Sequence, residues 1–145
     1  MTSLPPPFDL YGPETPVTPV VLSAPHAGRI YPEAMQELLR LPIAALMPLE
    51  DRLVDQLALA ARGPHTLFVA TVARAWIDLN RGEHERDPRI DAGADPMAQP
   101  QGSLRLRSGL GLVPRRAGAA GDVWKRKLTA EEVSARIAAH HRPYH

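Results

Sequence analysis

Two short apolar segments separated by one helical segment constrain the fold of this chain most strongly. Residues 19–24 and 66–72 are rich in valine, leucine and threonine and lack regular polar alternation, which is typical of strands buried on both faces of a sheet. Between them, apolar residues recur at three- and four-residue spacing over 50–62, and Gly63-Pro64 ends that helix. The order strand, helix, strand predicts an α/β unit with parallel strands.

Two further helices are predicted. One covers 33–40, and another covers 130–141 and ends before Pro143. Thr129 and Glu132 have the spacing of a capping box at the start of the second helix. These helices are expected to flank the sheet.

The remaining segments set the expected domain organisation. Residues 1–16 contain five prolines and are predicted to be an extended lead-in. Residues 82–121 show little periodicity, and irregular stretches of this length often carry function. A parallel sheet normally has more than two strands, and the sequence stops just after a helix. We therefore predict that 17–145 is the N-terminal part of a single α/β domain, with a mostly parallel sheet and flanking helices.

Composition excludes several kinds of chemistry. The chain has no cysteine, so disulfides are excluded and a metal site must use His, Asp or Glu. The net charge is only +1, and basic residues are not interleaved with aromatic ones, which argues against nucleic acid. No apolar run approaches the ~18 residues of a membrane span, and no signal peptide begins the chain. We expect a cytoplasmic protein with a small-molecule partner.

A histidine follows the first predicted strand, in the loop Pro25-His26-Ala27-Gly28. Functional side chains often lie at such positions because the strand holds them rigidly while the loop leaves room for a ligand. Histidine is both a metal ligand and an acid/base group, although a structural role fits a lone histidine equally well. Glu50 and Asp51 begin the next helix, where a carboxylate can be functional or simply favoured by the helix dipole.

Four segments, taken in order and spacing, resemble the N-formylglutamate amidohydrolase family over about residues 18 to 145. The Pro-His-Ala-Gly loop and the Ile-Asp-Leu-Asn-Arg block are the more specific of them. The segments are 23–28, 50–55, 74–81 and 109–115, with Arg136 and Pro143-Tyr144-His145 downstream.

The resemblance implies an α/β hydrolase related in fold to zinc carboxypeptidases. It implies zinc-dependent cleavage of the formyl amide of N-formyl-L-glutamate, or of a related N-acyl amino acid, in histidine degradation. The matching positions make His26 the first metal ligand and Asp51 the second, with Glu50 as the rival of Asp51. No residue is assigned as the catalytic base.

One departure from the family concerns the third metal ligand. Family members are longer and carry a further ligand histidine in an Asp-x-His-Ser segment that this sequence lacks. His140 and His145 do not match that position. The chain is therefore expected to be truncated, and a zinc ion could be absent from it.

The resemblance also favours residues that would bind the carboxylates of the substrate, because the arginine fork accepts two oxygens at once. The alternative is that these arginines are solvated or pair with Asp87, Asp91 and Asp95. The candidates are Arg74, Asn80, Arg81, Arg107 and Arg115, of which the family match favours Arg74, Arg81 and Arg115 as a set.

Two other functions stay open. A shortened relative could bind a ligand without turning it over. The chain could also be a folding fragment whose exposed sheet edge forms a homodimer.

Overall fold

Three short strands form one mixed sheet in the computed structural model, which describes residues 4–98 and 102–145. They are β1 (Phe8–Tyr11), β2 (Val21–Ala24) and β3 (Thr66–Ala70), in the order β1-β3-β2. β2 runs parallel to β3, as the strand–helix–strand order predicts, whereas β1 runs antiparallel to β3. The α/β class is confirmed, and the prediction of a mostly parallel sheet is wrong.

The proline-rich lead-in contains β1, which the sequence interpretation missed. Phe-Asp-Leu-Tyr is a stretch without proline, so its N–H groups can enter the ladder. Phe8 lies opposite Ala70, and its ring packs edge-on against Phe68 at 5.0 Å between centroids. β2 is the other edge of this sheet, and the homodimer predicted through an exposed edge stays a prediction.

Short helices connect and cover these strands. The helix predicted over 33–40 is confirmed as α1, and the capping box at Thr129 is present at the start of α4. No helix of the described residues is long and apolar enough to cross a membrane. The α-helices are α1 (Glu33–Leu38), α2 (Val54–Ala61), α3 (Leu104–Arg107), α4 (Ala130–Arg136) and α5 (Arg142–Tyr144), with 3-10 turns at Ile43–Leu49 and Gly118–Ala120.

The C-terminal helical segment does not end before Pro143. A π-helical turn, Ile137–His141, follows α4 and leads directly into α5. Pro143 is the second residue of α5, so it does not end the helical segment. The ring of Tyr144 then packs against Phe8 and Phe68 of the sheet.

α2 starts later than its sequence pattern predicts. Leu53 has a φ of 67°, a left-handed conformation that a helix cannot contain, so the helix begins at Val54. Leu53 and Leu57 are 59% and 68% exposed, and the apolar stripe that predicts the helix therefore faces outward. Ala58 packs against the small apolar cluster at β2 and β3.

The irregular stretch 82–121 contributes to the larger core. Ile90, Leu112, Val113 and Ala117 are all buried there, packed with side chains of the helices on either side in sequence. The described part of this stretch contains little regular structure besides α3 and one 3-10 turn, and its buried side chains pack in the same core as those of the segment that follows β3.

We expect Glu132→Gln to weaken the start of α4 and to flatten the acid dependence of stability. The Glu132 carboxylate accepts hydrogen bonds from Arg126 at 2.7 and 2.9 Å and from the backbone of Thr129 at 2.7 Å. The hydrogen bond from Arg126, opposed by burial, lowers the pKa of Glu132 to about 2. Glutamine can still cap the helix, so the loss is about 0.5 kcal/mol for this largely exposed pair.

The sign of the pH effect follows from the lowered pKa. A depressed carboxyl pKa contributes stability that is present above the ordinary value of 4.5 and is lost as pH falls towards 2. The unfolding free energies of the unchanged protein and Glu132→Gln, measured in urea, should thus differ at neutral pH. That difference should become smaller below pH 4.5. Glu131→Gln, in the same helical turn, is the control. If its stability difference from the unchanged protein shrinks equally below pH 4.5, the pH effect does not come from Glu132.

Candidate functional site

His26 lies in a loop that leaves β2 and is fastened back onto the chain after β3. The backbone N–H groups of Arg29 and Ile30 both donate to the carbonyl of Thr71 at 3.0 Å. Ile30 also forms a parallel bridge with Val72. The loop therefore leaves the sheet for only a few residues and rejoins it, which fixes the position of His26.

A buried carboxylate holds the imidazole ring of His26. Nε2 lies 2.6 Å from Oδ1 of Asp78, whose side chain has no exposed surface. Oδ1 also accepts from the backbone of Asn80 at 2.9 Å, and Oδ2 accepts from Nε of Arg74 at 2.8 Å. Burial would raise the pKa of Asp78, but the hydrogen bond with His26 and the charge of Arg74 outweigh it and hold the pKa below its ordinary value.

The second nitrogen of His26 faces Asp51. Nδ1 lies 3.6 Å from Oδ2 of Asp51, and it is the ring nitrogen left to bind a metal because Nε2 is hydrogen-bonded to Asp78. The Asp51 backbone donates to the His26 carbonyl at 2.9 Å, and its side chain is 53% exposed. A histidine held by a carboxylate through one nitrogen, with the other nitrogen open, has the arrangement found at metal ligands.

The donor pair has the spacing that a zinc ion requires. Zinc bonds of 2.0–2.2 Å at a tetrahedral angle separate two ligand atoms by about 3.4 Å, close to the 3.6 Å between His26 Nδ1 and Asp51 Oδ2. Within residues 4–98 and 102–145, no three His, Asp or Glu side chains form a group that could hold a metal ion. The described residues thus offer two ligands, and one more is needed for a catalytic zinc site.

Glu50 makes other contacts. Its side chain is almost fully buried, with Oε1 accepting from the Tyr31 hydroxyl and Oε2 accepting from Nε of Arg52 at 2.8 Å. Burial, followed by the bond to Glu50, raises the pKa of Tyr31. Both carboxylate oxygens are therefore engaged, and the structure brings Asp51 rather than Glu50 to His26.

Arg74 and Arg81 lie on either side of Asp78 and contact it. Arg81 is 7% exposed; Nε donates to the carbonyl of Leu110 at 3.0 Å and Nη1 donates to that of Asn80 at 2.7 Å. Its Nη2 is 3.7 Å from Asp78. In this structure both arginines support the carboxylate that orients His26.

The other predicted arginines lie outside this cluster. Nε of Arg115 donates to Asp87 at 3.0 Å and its Nη1 lies 3.5 Å from Asp122, so the alternative of pairing with Asp87 is realised. Arg107 is exposed at the end of α3. Neither arginine has an ion pair with Asp78 or Asp51 among the described residues.

A cavity of about 320 Å³ opens beside the His26 loop. It has room for a small molecule, and Asn80 and His145 belong to its wall. His145 shares a hydrogen bond of 2.9 Å with the carbonyl of Leu79, and the buried His140 packs edge-on to Trp76, so neither contacts His26. The wall consists of Val21, Ser23, Pro25, Phe68, Leu79, Asn80, Tyr144 and His145.

Asp78 belongs to the Ile-Asp-Leu-Asn-Arg block, but sequence reasoning did not assign it to the metal site. It stands between Ile77 and Leu79, which are 0% and 1% exposed. A carboxylate inside an apolar run is almost never buried without partners. That signal was present in the sequence, but it did not reveal His26 as the partner across 52 residues.

Comparisons with known proteins found a family model and a solved structure that are similar to this chain. The model of the N-formylglutamate amidohydrolase family matches residues 18–145. A solved N-formylglutamate amidohydrolase from Ralstonia eutropha JMP134 is 36% identical, with a TM-score of 0.83. The match covers 96% of this chain and 49% of that one, so the chain spans about half the length of this relative. No curated protein matches the chain.

Proposed function

Since this chain belongs to the N-formylglutamate amidohydrolase family, we propose that it carries the first part of a metal-dependent active site that hydrolyses N-formyl-L-glutamate or a related N-acyl amino acid. The products are formate and glutamate, or the corresponding acid and amino acid. The pairing of His26 with the buried Asp78 on one side and Asp51 on the other carries the proposal.

Each of these residues has a distinct role in the proposed site. His26 would bind zinc through Nδ1 and Asp51 through its carboxylate. Asp78 fixes the ring and its tautomer, and Arg74 keeps Asp78 ionised. When bound, zinc lowers the pKa of a water molecule and polarises a carbonyl group, which are the two needs of amide hydrolysis at neutral pH.

The third ligand would come from the part of the family fold that these residues do not match. The matched relative is about twice as long, and a catalytic zinc site normally has three protein ligands. The proposal therefore expects weak metal binding by residues 1–145 alone and tighter binding when the rest of the family fold is present.

The cavity beside the His26 loop would hold the substrate. Its volume of about 320 Å³ suits an N-acyl amino acid at the lower end of the range for ligand sites. Asn80 and His145 would supply polar contacts. Arg74 is bonded to Asp78 and is 14% exposed, and it is not one of the residues that line the cavity.

We expect His26→Gln to reduce zinc affinity by about 100-fold or more, because it removes one of two ligands. Zinc binding is measured by calorimetry, and formate release from N-formyl-L-glutamate is measured with zinc present. Both measurements use residues 1–145 and a longer chain that adds the unmatched part of the family fold. His65→Gln is the matched control, since His65 contacts Thr18 instead.

The outcomes separate the parts of the proposal. Zinc-dependent formate release by the longer chain, lost in His26→Gln but kept in His65→Gln, supports it. If the longer chain releases no formate with any divalent metal, the hydrolase proposal is wrong. If it releases formate equally well in His26→Gln, the assignment of the ligand is wrong.

A second candidate is a ligand-binding module without turnover. The observation that favours it is that only two potential metal ligands meet among the described residues. Such a module would bind N-formyl-L-glutamate in calorimetry at the same affinity with zinc and with a chelator present. A strong dependence of binding on zinc would exclude it.

A further inference from the structure

Arg136 is a buried cation without a carboxylate partner in the part of the chain that the structure describes. It is 2% exposed; its Nη1 donates to the carbonyl of Trp76 at 3.1 Å, and its Nε has no partner. The guanidinium carbon lies 3.7 Å from the centroid of the Trp76 ring and 4.9 Å from that of Trp124. Burying an unpaired charge is costly, and burial lowers the pKa of Arg136 to about 9.

A cavity of about 450 Å³ lies against this guanidinium. Trp76 forms another part of its wall, and the Trp76 Nε1–H is also buried without a hydrogen-bond partner among the described residues. Two buried hydrogen-bond donors without a partner therefore belong to side chains that line the same cavity. The apolar part of its wall consists of the half-buried Leu38 and the exposed Leu4, Ala34 and Ala135.

The other charges around the cavity do not neutralise Arg136. Arg126 and Glu132 also line it, but they bind each other through two hydrogen bonds of 2.7 and 2.9 Å. Glu37 lines it as well and is exposed, so solvent screens its charge. The charges of Glu132 and Asp91 raise the pKa of Arg136 but do not outweigh its burial, so Arg136 is a desolvated charge of the cavity without an ion pair among the described residues.

We propose that this cavity binds a small monocarboxylate with a short apolar chain. The carboxylate would take the guanidinium of Arg136 as its counter-charge, because an arginine fork matches two carboxylate oxygens. Arg136 Nε and Trp76 Nε1 have almost no exposed surface, so both side chains would turn towards the cavity when the carboxylate binds. The chain would lie against the apolar wall. This site shares no residue with the His26, Asp51 and Asp78 cluster, and it does not depend on the proposed hydrolase function.

Tryptophan fluorescence tests the proposal directly. The protein has two tryptophans, and both rings lie against Arg136. Butyrate should change the emission in a saturable way with a Kd on the order of 1 mM, the range of a weak single-site ligand, whereas sodium chloride at equal ionic strength should not. Acetate should bind more weakly, because it buries less apolar surface.

Two variants locate the binding. Ala135→Leu adds side-chain volume at the cavity without removing any contact of Arg136. It should weaken butyrate binding at least about tenfold. Ala60→Leu places the same side chain on an exposed position of α2 and should leave the affinity unchanged. Arg136→Lys keeps the charge without the fork and should weaken binding to a similar degree.

The result can also overturn the proposal. If butyrate gives no saturable change beyond that of chloride, or binds Ala135→Leu as well as the unchanged protein, Arg136 is a structural cation between two tryptophans. If Arg136→Lys fails to fold, the butyrate affinities of Ala135→Leu and Ala60→Leu still decide between a carboxylate site and a structural cation.

Discussion

Gly28→Ala should cost the protein about 3 kcal/mol of unfolding free energy, the upper part of the range for overpacked sites, and should displace His26. A Cβ atom at Gly28 would lie 1.9 Å from the carbonyl oxygen of Val72 and 2.5 Å from its carbonyl carbon. Those atoms belong to the backbone, which cannot rotate away as a side chain does. The loop would have to separate from the segment after β3, and the bonds of Arg29 and Ile30 to Thr71 would break.

The matched control is Gly118→Ala. Gly118 has a φ of +52° with no atom within 4 Å of the added carbon, so only the left-handed backbone penalty of about 1 kcal/mol applies. Urea unfolding measures both variants, and zinc titration follows the His26 site. Equal losses of unfolding free energy in Gly28→Ala and Gly118→Ala would show that the contact with Val72 does not fix the loop. Unchanged zinc affinity in a folded Gly28→Ala protein would show that the loop does not position His26.

Local pattern located both β2 and β3, but only β3 is buried as predicted: Val21 of β2 is 49% exposed because β2 is an edge strand of the sheet. Their apolar composition and the helix between them are local signals, and the parallel pairing of Val21 with Thr66 follows from the connection. β1 has a local signal too, but the surrounding prolines obscured it. Its pairing with β3 joins residues about sixty positions apart, and no short-range rule predicts such a partner.

The site was predictable in part for the same reason. His26 and Asp51 could be named from their positions after a strand and at a helix start, helped by the family resemblance. The start of α2 could not, since the helix begins only after Leu53, whose left-handed conformation has no signal in the local sequence. Arg74 and Arg81 were expected to bind the substrate. Both contact Asp78 instead, because a buried carboxylate requires nearby cations.

Replacing Asp78 should have a still larger effect, on both stability and metal binding. Asp78→Ala leaves His26, Arg74 and Arg81 facing an empty buried position, and breaking a buried ion pair in this way costs about 3–5 kcal/mol. Asp78→Asn keeps the shape and loses the charge, so we expect a folded protein of lower stability. Because the carboxylate orients the ring and raises its basicity, Asp78→Asn should bind zinc about 10–100-fold more weakly.

Asp87→Asn separates this orienting role from stability alone. Asp87 resembles Asp78 in its contacts: one oxygen accepts from the backbone two residues on, at 2.9 Å, and the other accepts from Nε of Arg115 at 3.0 Å. It is 5% exposed and makes no hydrogen bond to His26. Asp87→Asn should lower the urea midpoint much as Asp78→Asn does, while zinc affinity stays that of the unchanged protein. Equal zinc affinities in Asp78→Asn and Asp87→Asn would mean that Asp78 only stabilises the fold. The loop alone would then orient Nδ1 of His26.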